Sequence, residues 1–215
     1  MCGRFYVEPE DEYFRELGKR IESSPLLERF GGSVPGRPEG GNGSWGGEVF
    51  PENVVPVLAP NRGGEQSIFP MQWGFALPAS GGKRRPRLIN ARSETAAEKP
   101  LFRPSWEQRR CVIPATAYFE WEHFQDASGR TRTGRKFRIR PRDGGRTYLA
   151  GLYRMENGLP AFVVLTRAPA GDLARIHDRM PVLLPESAIG DWVAPGGKPE
   201  ELLRAAVTET EQAEA

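Results

Sequence analysis

The sequence predicts an α+β fold built as one domain of short helices and strands. Glycine and proline number 25 and 20 among 215 residues, an abundance that favours many short elements joined by turns. Hydrophobic residues make up 38% of the chain and charged residues 27%, which suffices for one substantial core but is short for two enzyme domains. Short β-branched and aromatic runs between turn residues supply the strands.

The first fifty residues predict one helix and one loop. Residues 9–20 carry Tyr13, Phe14 and Leu17 among charged residues, a helical spacing that buries one face. Residues 30–47 are crowded with Gly, Pro and Ser and are predicted to form a mobile loop. The chain therefore begins with a short amphipathic helix.

Strands and a short helix are predicted along the rest of the chain. The strand candidates are residues 54–58, 111–113, 137–139, 147–152 and 161–166. Residues 183–192 lead into a helix near Pro185. Residues 199–215 hold five Glu against one Arg. We therefore predict a domain over residues 1–195, followed by an acidic tail over 196–215 that is helical at first and then frayed.

Several functional classes are disfavoured. The apolar stretches are far shorter than the roughly 20 residues that span a bilayer. The N-terminus becomes acidic at residues 8–12 and lacks the apolar run of a secretion signal, so a cytoplasmic location is expected. Cys2 and Cys111 lie in dissimilar contexts without metal-ligand spacing, so neither a disulfide framework nor a metal site is expected.

The body of the chain is moderately basic. The formal charge is +2, and without the acidic C-terminal residues it is about +6. Positive charge concentrates in residues 83–87 and 130–146. Such clusters suit phosphates, but solubilising positions on exposed loops and hairpins explain them equally well on composition alone.

Position 2 carries the most distinctive chemistry. A small residue after the initiator methionine normally permits removal of Met1, which leaves Cys2 with a free α-amine beside its thiol. Reference pKa values of about 8 and about 8.5 leave useful fractions of both nucleophiles near neutral pH. Together they can close a five-membered thiazolidine ring on an aldehyde. From position alone, an incidental buried strand residue is the simpler interpretation of Cys2.

Five separated motifs accompany Cys2 along the chain. They are MCGRF at 1–5, INARSET at 89–95, RCVIPA at 110–115, FEW at 119–121 and IHDRMP at 176–181. In this order they resemble the SRAP family, named for SOS-response-associated peptidase. Shorter matches at residues 47–51, 54–58 and 73–75 extend the resemblance to about Trp192. The sequence departs from the family at residues 115–120, where Gly usually precedes the aromatic pair, and lacks an aromatic residue after Pro78.

The resemblance implies a twisted, partly barrel-like β core surrounded by helices, and a sensor of abasic sites in single-stranded DNA that acts in the DNA damage response. Cys2 would form a thiazolidine with the ring-opened aldehyde of the abasic sugar. Glu120 is implied as the general acid/base, His177 as the proton donor to the ring oxygen, and Asn90 as the holder of the Cys2 amine or of the new ring. The reaction needs no cofactor, β-elimination is an expected side reaction, and a monomer is expected.

The resemblance also implies DNA-binding residues. Arg4 and Arg92 have the charge and forked geometry that suit flanking phosphates. Trp73 and Phe75 offer faces for neighbouring bases. These two aromatic residues alternate as in a strand, so burial beneath a sheet is the competing interpretation.

Two other functions remain open from the sequence. Cys2 can serve as the thiolate of a self-processing peptidase or of an amidohydrolase, because a terminal amine can act as its base. The second function is that of a basic module that binds single-stranded DNA without reacting with it, with Cys2 buried. His177 alone is more often structural, and the matched motif favours a functional role. His123 lies outside the motifs and is predicted to be exposed, whereas Cys111 is predicted to lie in the core.

Overall fold

The computed structural model describes residues 2–31, 46–79, 81–82 and 85–215. Most of the predicted loop at 30–47, two residues of the basic cluster at 83–87, and Met1 lie outside the described residues. The strands are β1 (Arg4–Val7), β2 (Gly47–Val49), β3 (Val54–Pro60), β4 (Gln66–Trp73), β5 (Asn90–Arg92), β6 (Arg110–Ala115), β7 (Ala117–Gln125), β8 (Thr131–Pro141), β9 (Thr147–Glu156), β10 (Leu159–Arg167), β11 (Met180–Pro181), β12 (Leu183–Leu184) and β13 (Thr210–Glu214). The helices are α1 (Glu12–Glu22), α2 (Pro25–Arg29), α3 (Ser93–Ala96), α4 (Arg103–Gln108), α5 (Ile189–Val193) and α6 (Pro199–Arg204), with 3₁₀ helices at Gly171–Arg175 and Glu186–Ala188.

The strands form two sheets. One is antiparallel with the order β13-β8-β7-β1-β2, and the other follows β11-β10-β4-β3-β6-β9-β12, with β5 beside β10. A further pairing of β9 with β10 closes the path β10-β4-β3-β6-β9 on itself. This closure and the surrounding helices confirm the predicted α+β class and the partly barrel-like core.

Helix α1 begins where its sequence provides a cap. The Asp11 side chain accepts a hydrogen bond from the Tyr13 backbone N–H at 2.8 Å, which satisfies one of the free donors of the first turn. Phe14, Leu17 and Ile21 are buried along one face, as the helical spacing predicts. The predicted helix is confirmed, with its start shifted to the residue after the cap.

The five predicted strands are confirmed within β3, β6, β8, β9 and β10. Strand β8 extends well beyond the three residues predicted, because its arginines alternate with buried residues such as Phe137 and Ile139. The ladder with β7 continues through these polar positions. The alternation of polar and buried residues therefore determines which side of β8 faces solvent, and it does not end the strand.

The C-terminal segment is ordered as part of the five-stranded sheet. The short helix predicted near Pro185 is present as a 3₁₀ turn that leads into α5. Residues 196–215 contain α6 and then β13, which pairs with β8. The prediction that this segment frays is wrong, because Glu211 pairs with Arg140 and the Ala215 N–H donates to the Lys136 carbonyl at 2.9 Å.

The two sheets share a buried cluster. Phe5, Tyr118 and Ile139 from the five-stranded sheet pack in it with Val57 and Phe162 from the second sheet. A second buried cluster packs the second sheet, the one that contains β9 and β10, against α4 and α5. The opposite face of the five-stranded sheet is left toward solvent. No helix among the described residues is long and apolar enough to cross a membrane.

Candidate active site

Cys2 lies two residues before the start of β1 and is fully buried. Its carbonyl accepts a hydrogen bond from Asn90 Nδ2 at 2.8 Å, and its thiol donates to the Arg4 carbonyl at 3.8 Å. Asn90 is the first residue of β5 and pairs in register with Val164 of β10. One side chain of the second sheet thus fixes the backbone of the residue that carries the thiol.

Glu120 lies on the buried side of β7, close to the start of β1. The neighbouring residue Phe119 pairs with Arg4, so the strand register brings Glu120 beside the segment that begins with Cys2. Glu120 is 3% exposed, and this burial raises its pKa from 4.5 to about 7. Burial, followed by the Glu120 charge, raises the pKa of the Cys2 thiol far above its usual range. The site therefore pairs a protonated thiol with a carboxyl group that titrates near neutrality.

His177 follows the 3₁₀ turn at Gly171–Arg175 and is almost fully buried. The Arg179 backbone N–H donates to His177 Nδ1 at 3.0 Å. Asp178 Oδ1 lies 2.8 Å from the same Nδ1 and accepts a hydrogen bond from it when the ring is charged. Burial lowers the pKa of His177 below its usual value. Nδ1 is therefore engaged by the loop that carries His177.

The loop that carries His177 is attached to β7. The backbone N–H of His123 donates to the Ile176 carbonyl at 3.2 Å, and the rings of His123 and His177 lie 4.8 Å apart. The β7–β8 register shifts between Trp121 and His123, which is the signature of a bulge that re-aims side chains. His123 is exposed and Cys111 is fully buried, and both predictions are confirmed.

Two buried polar atoms near Cys2 have no hydrogen-bond partner among the described residues. They are Asn90 Oδ1 and the Tyr118 hydroxyl oxygen. Buried polar groups in native proteins are nearly always paired, so such atoms mark positions where a ligand or water can bind. Both residues are less than one tenth exposed, and Tyr118 shares a buried cluster with Cys2.

A family model described as SOS response associated peptidase (SRAP) matches residues 1–215. The chain belongs to the SRAP family. Similar SRAP proteins include the abasic site processing protein YedK of Escherichia coli, 31% identical over 202 residues, which cover 90% of this chain and 79% of YedK. The abasic site processing protein YoqW of Bacillus subtilis is 29% identical over 201 residues, covering 91% and 81% of the two chains. YobE of the same bacterium, also an abasic site processing protein, is 32% identical over 150 residues, which are 67% of this chain but only 65% of YobE.

Solved structures share the fold of this SRAP chain. A crystal structure of a Bacteroides thetaiotaomicron protein has a TM-score of 0.71 at 18% identity, covering 99% of this chain and 91% of that one. A Bordetella bronchiseptica protein has a TM-score of 0.66 at 21% identity, covering 100% and 99%. At these identities the likeness concerns the fold alone.

The structure brings the predicted catalytic SRAP residues into one region. Asn90 bonds to the backbone of Cys2, and Glu120 lies close enough to act on the pKa of its thiol. After burial, which dominates, the charge of Asp178 adds to the rise in the pKa of Glu120, so the His177 loop also faces this carboxyl group. Among the described residues, no group of three or more His, Cys, Asp or Glu is arranged to hold a metal ion.

Trp73 and Phe75 are both fully buried, which corrects the prediction that they stack on bases. The Trp73 ring packs 5.2 Å from Phe5 and 6.1 Å from Phe162, and its Nε1–H donates to the Ile89 carbonyl at 3.0 Å. Neither residue presents a face to solvent in this fold. The competing interpretation, burial beneath a sheet, is the one that the structure supports.

Arg4 and Arg92 lie where solvent can reach them. Arg92 is exposed at the end of β5, immediately before α3. Arg4 forms an ion pair with Glu48 at 3.2 Å, and its guanidinium lies 4.2 Å from the ring centre of Phe50 and 5.0 Å from that of Trp121. Both arginines therefore remain candidates for phosphate contacts.

The sequence analysis missed a group of aromatic and basic side chains on the solvent side of the five-stranded sheet. Lys136 Nζ lies 3.8 Å from the ring centre of Phe119 and 5.6 Å from that of Trp121. The Arg138 guanidinium lies 4.8 Å from the ring centre of Tyr6. We call this group the aromatic–cation surface; it comprises Arg4, Tyr6, Phe50, Phe119, Trp121, Lys136 and Arg138. The alternation of Lys136, Arg138 and Arg140 along β8 was the available signal.

Proposed function

We propose that this SRAP protein captures abasic sites in single-stranded DNA by forming a thiazolidine through Cys2 after removal of Met1. The observation that carries the proposal is the buried pairing of Cys2 with Glu120, a carboxyl group whose pKa is raised by burial to about 7. Such a group both accepts and returns protons near neutral pH. The names of the relatives, abasic site processing proteins, support an abasic site as the target.

The chemistry assigns one proton movement to each group. Protonated His177 gives a proton to the ring oxygen of the sugar as the bond from C1 to that oxygen breaks, and it recovers a proton from the C1 hydroxyl, which becomes the aldehyde. The amine of Cys2 adds to C1 and gives a proton to Glu120. Glu120 returns this proton to the C1 oxygen, which becomes a hydroxyl group. The second amine proton follows the same route, and the C1 oxygen leaves as water to give the imine. The thiol then adds to the imine carbon, its proton passes to the nitrogen, and the five-membered ring is closed.

The aromatic–cation surface supplies a contact region for the DNA strand. It begins at Arg4, two residues after Cys2, and includes Trp121, the residue after Glu120. An abasic lesion lacks a base, so the groups of the DNA that a protein can contact there are the phosphates and the flanking bases. Cations next to aromatic rings suit both, since phosphates bind the cations and bases stack on rings that solvent can reach, such as those of Phe50 and Trp121.

The surroundings of Cys2 argue against a thiolate peptidase. A peptidase of that kind needs a depressed thiol pKa, whereas burial and the negative charge of Glu120 raise the pKa of Cys2. Thiazolidine formation uses the amine as the first nucleophile and needs the sulfur only after the imine has formed. A thiol that is protonated before the imine forms is therefore compatible with this reaction, since its proton passes to the nitrogen as the ring closes.

Intact mass spectrometry of the purified protein, mixed with single-stranded DNA that contains one abasic site, tests the proposal. We expect loss of the Met1 mass, followed by a species that equals protein plus DNA minus one water and survives denaturation. The same DNA with a tetrahydrofuran residue at the lesion is the control, because it has no aldehyde. A protein that keeps Met1, or that stays unmodified with the aldehyde-bearing DNA, would refute the proposal.

Replacing Trp121 by alanine is expected to weaken binding to the tetrahydrofuran DNA by roughly 5- to 150-fold, because one stacked base contributes about 1–3 kcal/mol. Fluorescence anisotropy at several salt concentrations measures the effect, and affinity should fall as salt rises. The control is Phe124→Ala, which removes a 49% exposed aromatic residue of the same strand outside the aromatic–cation surface. Equal losses of affinity in both variants, or an affinity that does not depend on salt concentration, would contradict the assigned surface.

A further inference from the structure

Tyr118 places a hydroxyl group inside the Cys2 site that the proposed chemistry has not yet used. It lies on β7 two residues before Glu120, so both side chains point to the same side of the strand. Its register partner on β1 is Phe5, three residues after Cys2. Tyr118 is 0% exposed and belongs to the same buried cluster as Cys2. The hydroxyl is thus enclosed with the reactive residue.

The Tyr118 hydroxyl has no hydrogen-bond partner among the described residues. Burying a hydroxyl without a partner costs about 1–3 kcal/mol, so a purely structural role would favour phenylalanine. Tyr148 shows the contrast, since it is also buried but its hydroxyl is hydrogen-bonded with Tyr13 and Arg146. A hydroxyl retained at a cost beside a reactive residue indicates a ligand that completes its hydrogen bond.

We propose that the Tyr118 hydroxyl is a catalytic hydrogen-bond donor that polarises the C1 carbonyl of the ring-opened abasic sugar. This inference rests on the proposed function and names a fifth residue for its reaction. A carbonyl oxygen accepts hydrogen bonds only, so the site must offer a donor to it. Asn90 Oδ1 is an acceptor, and one of the two N–H groups of Asn90 Nδ2 is taken by the Cys2 carbonyl.

Glu120 is occupied by another part of the same step. It takes the proton that the amine loses, so it is ionised and accepts hydrogen bonds while the amine adds. Burial raises the pKa of Tyr118 well above its usual value, so the hydroxyl keeps its proton throughout the reaction. Tyr118 is therefore a neutral donor that is present when negative charge develops on the carbonyl oxygen.

Tyr118 transfers no atom while the amine adds to C1. The nitrogen lone pair forms the bond to C1, and the π electrons of the carbonyl bond move to its oxygen. That oxygen is stabilised by the hydrogen bond from Tyr118 and then receives the proton that the amine passed to Glu120. A donor aimed at developing oxyanion charge acts in the transition state more than in the ground state.

The test is Tyr118→Phe, which removes one oxygen atom and keeps the ring. We expect the single-turnover rate of crosslinking to abasic DNA to fall at least tenfold, since loss of one such donor commonly costs about 10²–10³-fold. Affinity for the tetrahydrofuran DNA should stay unchanged. The melting temperature should stay equal or rise, because an unpaired buried hydroxyl has been removed.

Tyr148→Phe is the matched control, because it removes a paired hydroxyl from the same fold. It should lower the melting temperature and leave the crosslinking rate unchanged. A Tyr118→Phe protein that crosslinks at the original rate overturns the inference. So does one whose melting temperature falls together with its rate, since the hydroxyl would then be structural. Failure of the unchanged protein to crosslink would remove the proposed function itself, which distinguishes the two failures.

Discussion

Cys2→Ala is expected to abolish the denaturation-stable product with abasic single-stranded DNA. Alanine keeps a terminal amine after Met1 removal but cannot close a sulfur-containing ring, so the reaction stops at a hydrolysable imine. The other cysteine, Cys111, is fully buried within β6 and has no amine beside its thiol. Denaturing electrophoresis without a reductant should therefore show a loss of more than about 1,000-fold in trapped product, in keeping with removal of the covalent nucleophile.

The fold should survive the Cys2 substitution. Removing one buried sulfur costs about 1 kcal/mol, and Asn90 still bonds to the backbone carbonyl of residue 2. Borohydride should restore a trapped product with Cys2→Ala by reducing the imine, which separates the roles of amine and thiol. Cys111→Ala serves as the control and should still crosslink. Stable product from Cys2→Ala without borohydride would contradict the thiazolidine.

Local sequence patterns predict the elements of this fold better than their arrangement. The β-branched runs mark five strands because they reflect burial within a few residues. Closure of the second sheet depends on β9 and β10 pairing with each other and with distant strands, which no local pattern encodes. The C-terminal strand was missed for a related reason. Its glutamates look like a solvated tail until the arginines of β8, about seventy residues earlier, are placed opposite them.

The residues of the candidate site are likewise easier to predict from the sequence than their contacts. The motif resemblance predicts Cys2, Asn90, Glu120 and His177 as site residues, but the hydrogen bond from Asn90 to Cys2 joins residues 88 positions apart. Spacing cannot predict such a contact. Trp73 shows the opposite difficulty, because alternation reveals that a strand has two sides but does not tell which side is buried. Its indole lies between the two sheets, where a base cannot reach it.

The aromatic–cation surface was missed because its members come from separate strands. Tyr6 and Arg4 belong to β1, Trp121 and Phe119 to β7, and the cations Lys136 and Arg138 to β8. Each pair meets only through the antiparallel registers of β1 with β7 and β7 with β8. In the sequence, the β8 cations are part of a basic run that solubility explains equally well. Only the registers place aromatic rings beside them.

Glu120→Gln is expected to slow crosslinking by about 10²–10⁴-fold, the usual contribution of a general acid/base. Glutamine keeps the size of the side chain and removes its titration. In the unchanged protein, the single-turnover rate should rise as the pH passes through about 7, because Glu120 must lose its proton before it can accept one from the amine. In Glu120→Gln this dependence should disappear. Rates measured by quenching from pH 5.5 to 8.5 test both expectations.

The thermal stability of the same variant tests independently whether the pKa of Glu120 is raised. Burial raises the pKa of Glu120 above its ordinary value of 4.5, so the fold favours the protonated carboxyl group. That contribution to stability is fully present below pH 4.5 and is lost as the pH rises through about 7. Glu120→Gln should therefore melt at a higher temperature than the unchanged protein at pH 8, and the difference should shrink at pH 5.

Glu122→Gln is the matched control, since Glu122 lies two residues farther along β7 and pairs with Arg135 at 3.3 Å at the protein surface. The hydrogen bond from Arg135 holds the pKa of Glu122 below its usual value, so this carboxyl group stays ionised throughout the tested range. Its substitution should change neither the crosslinking rate nor the pH profile. If Glu120→Gln kept the pH dependence of the unchanged protein, another group would have to accept the amine proton, and the buried carboxyl group would lose its role.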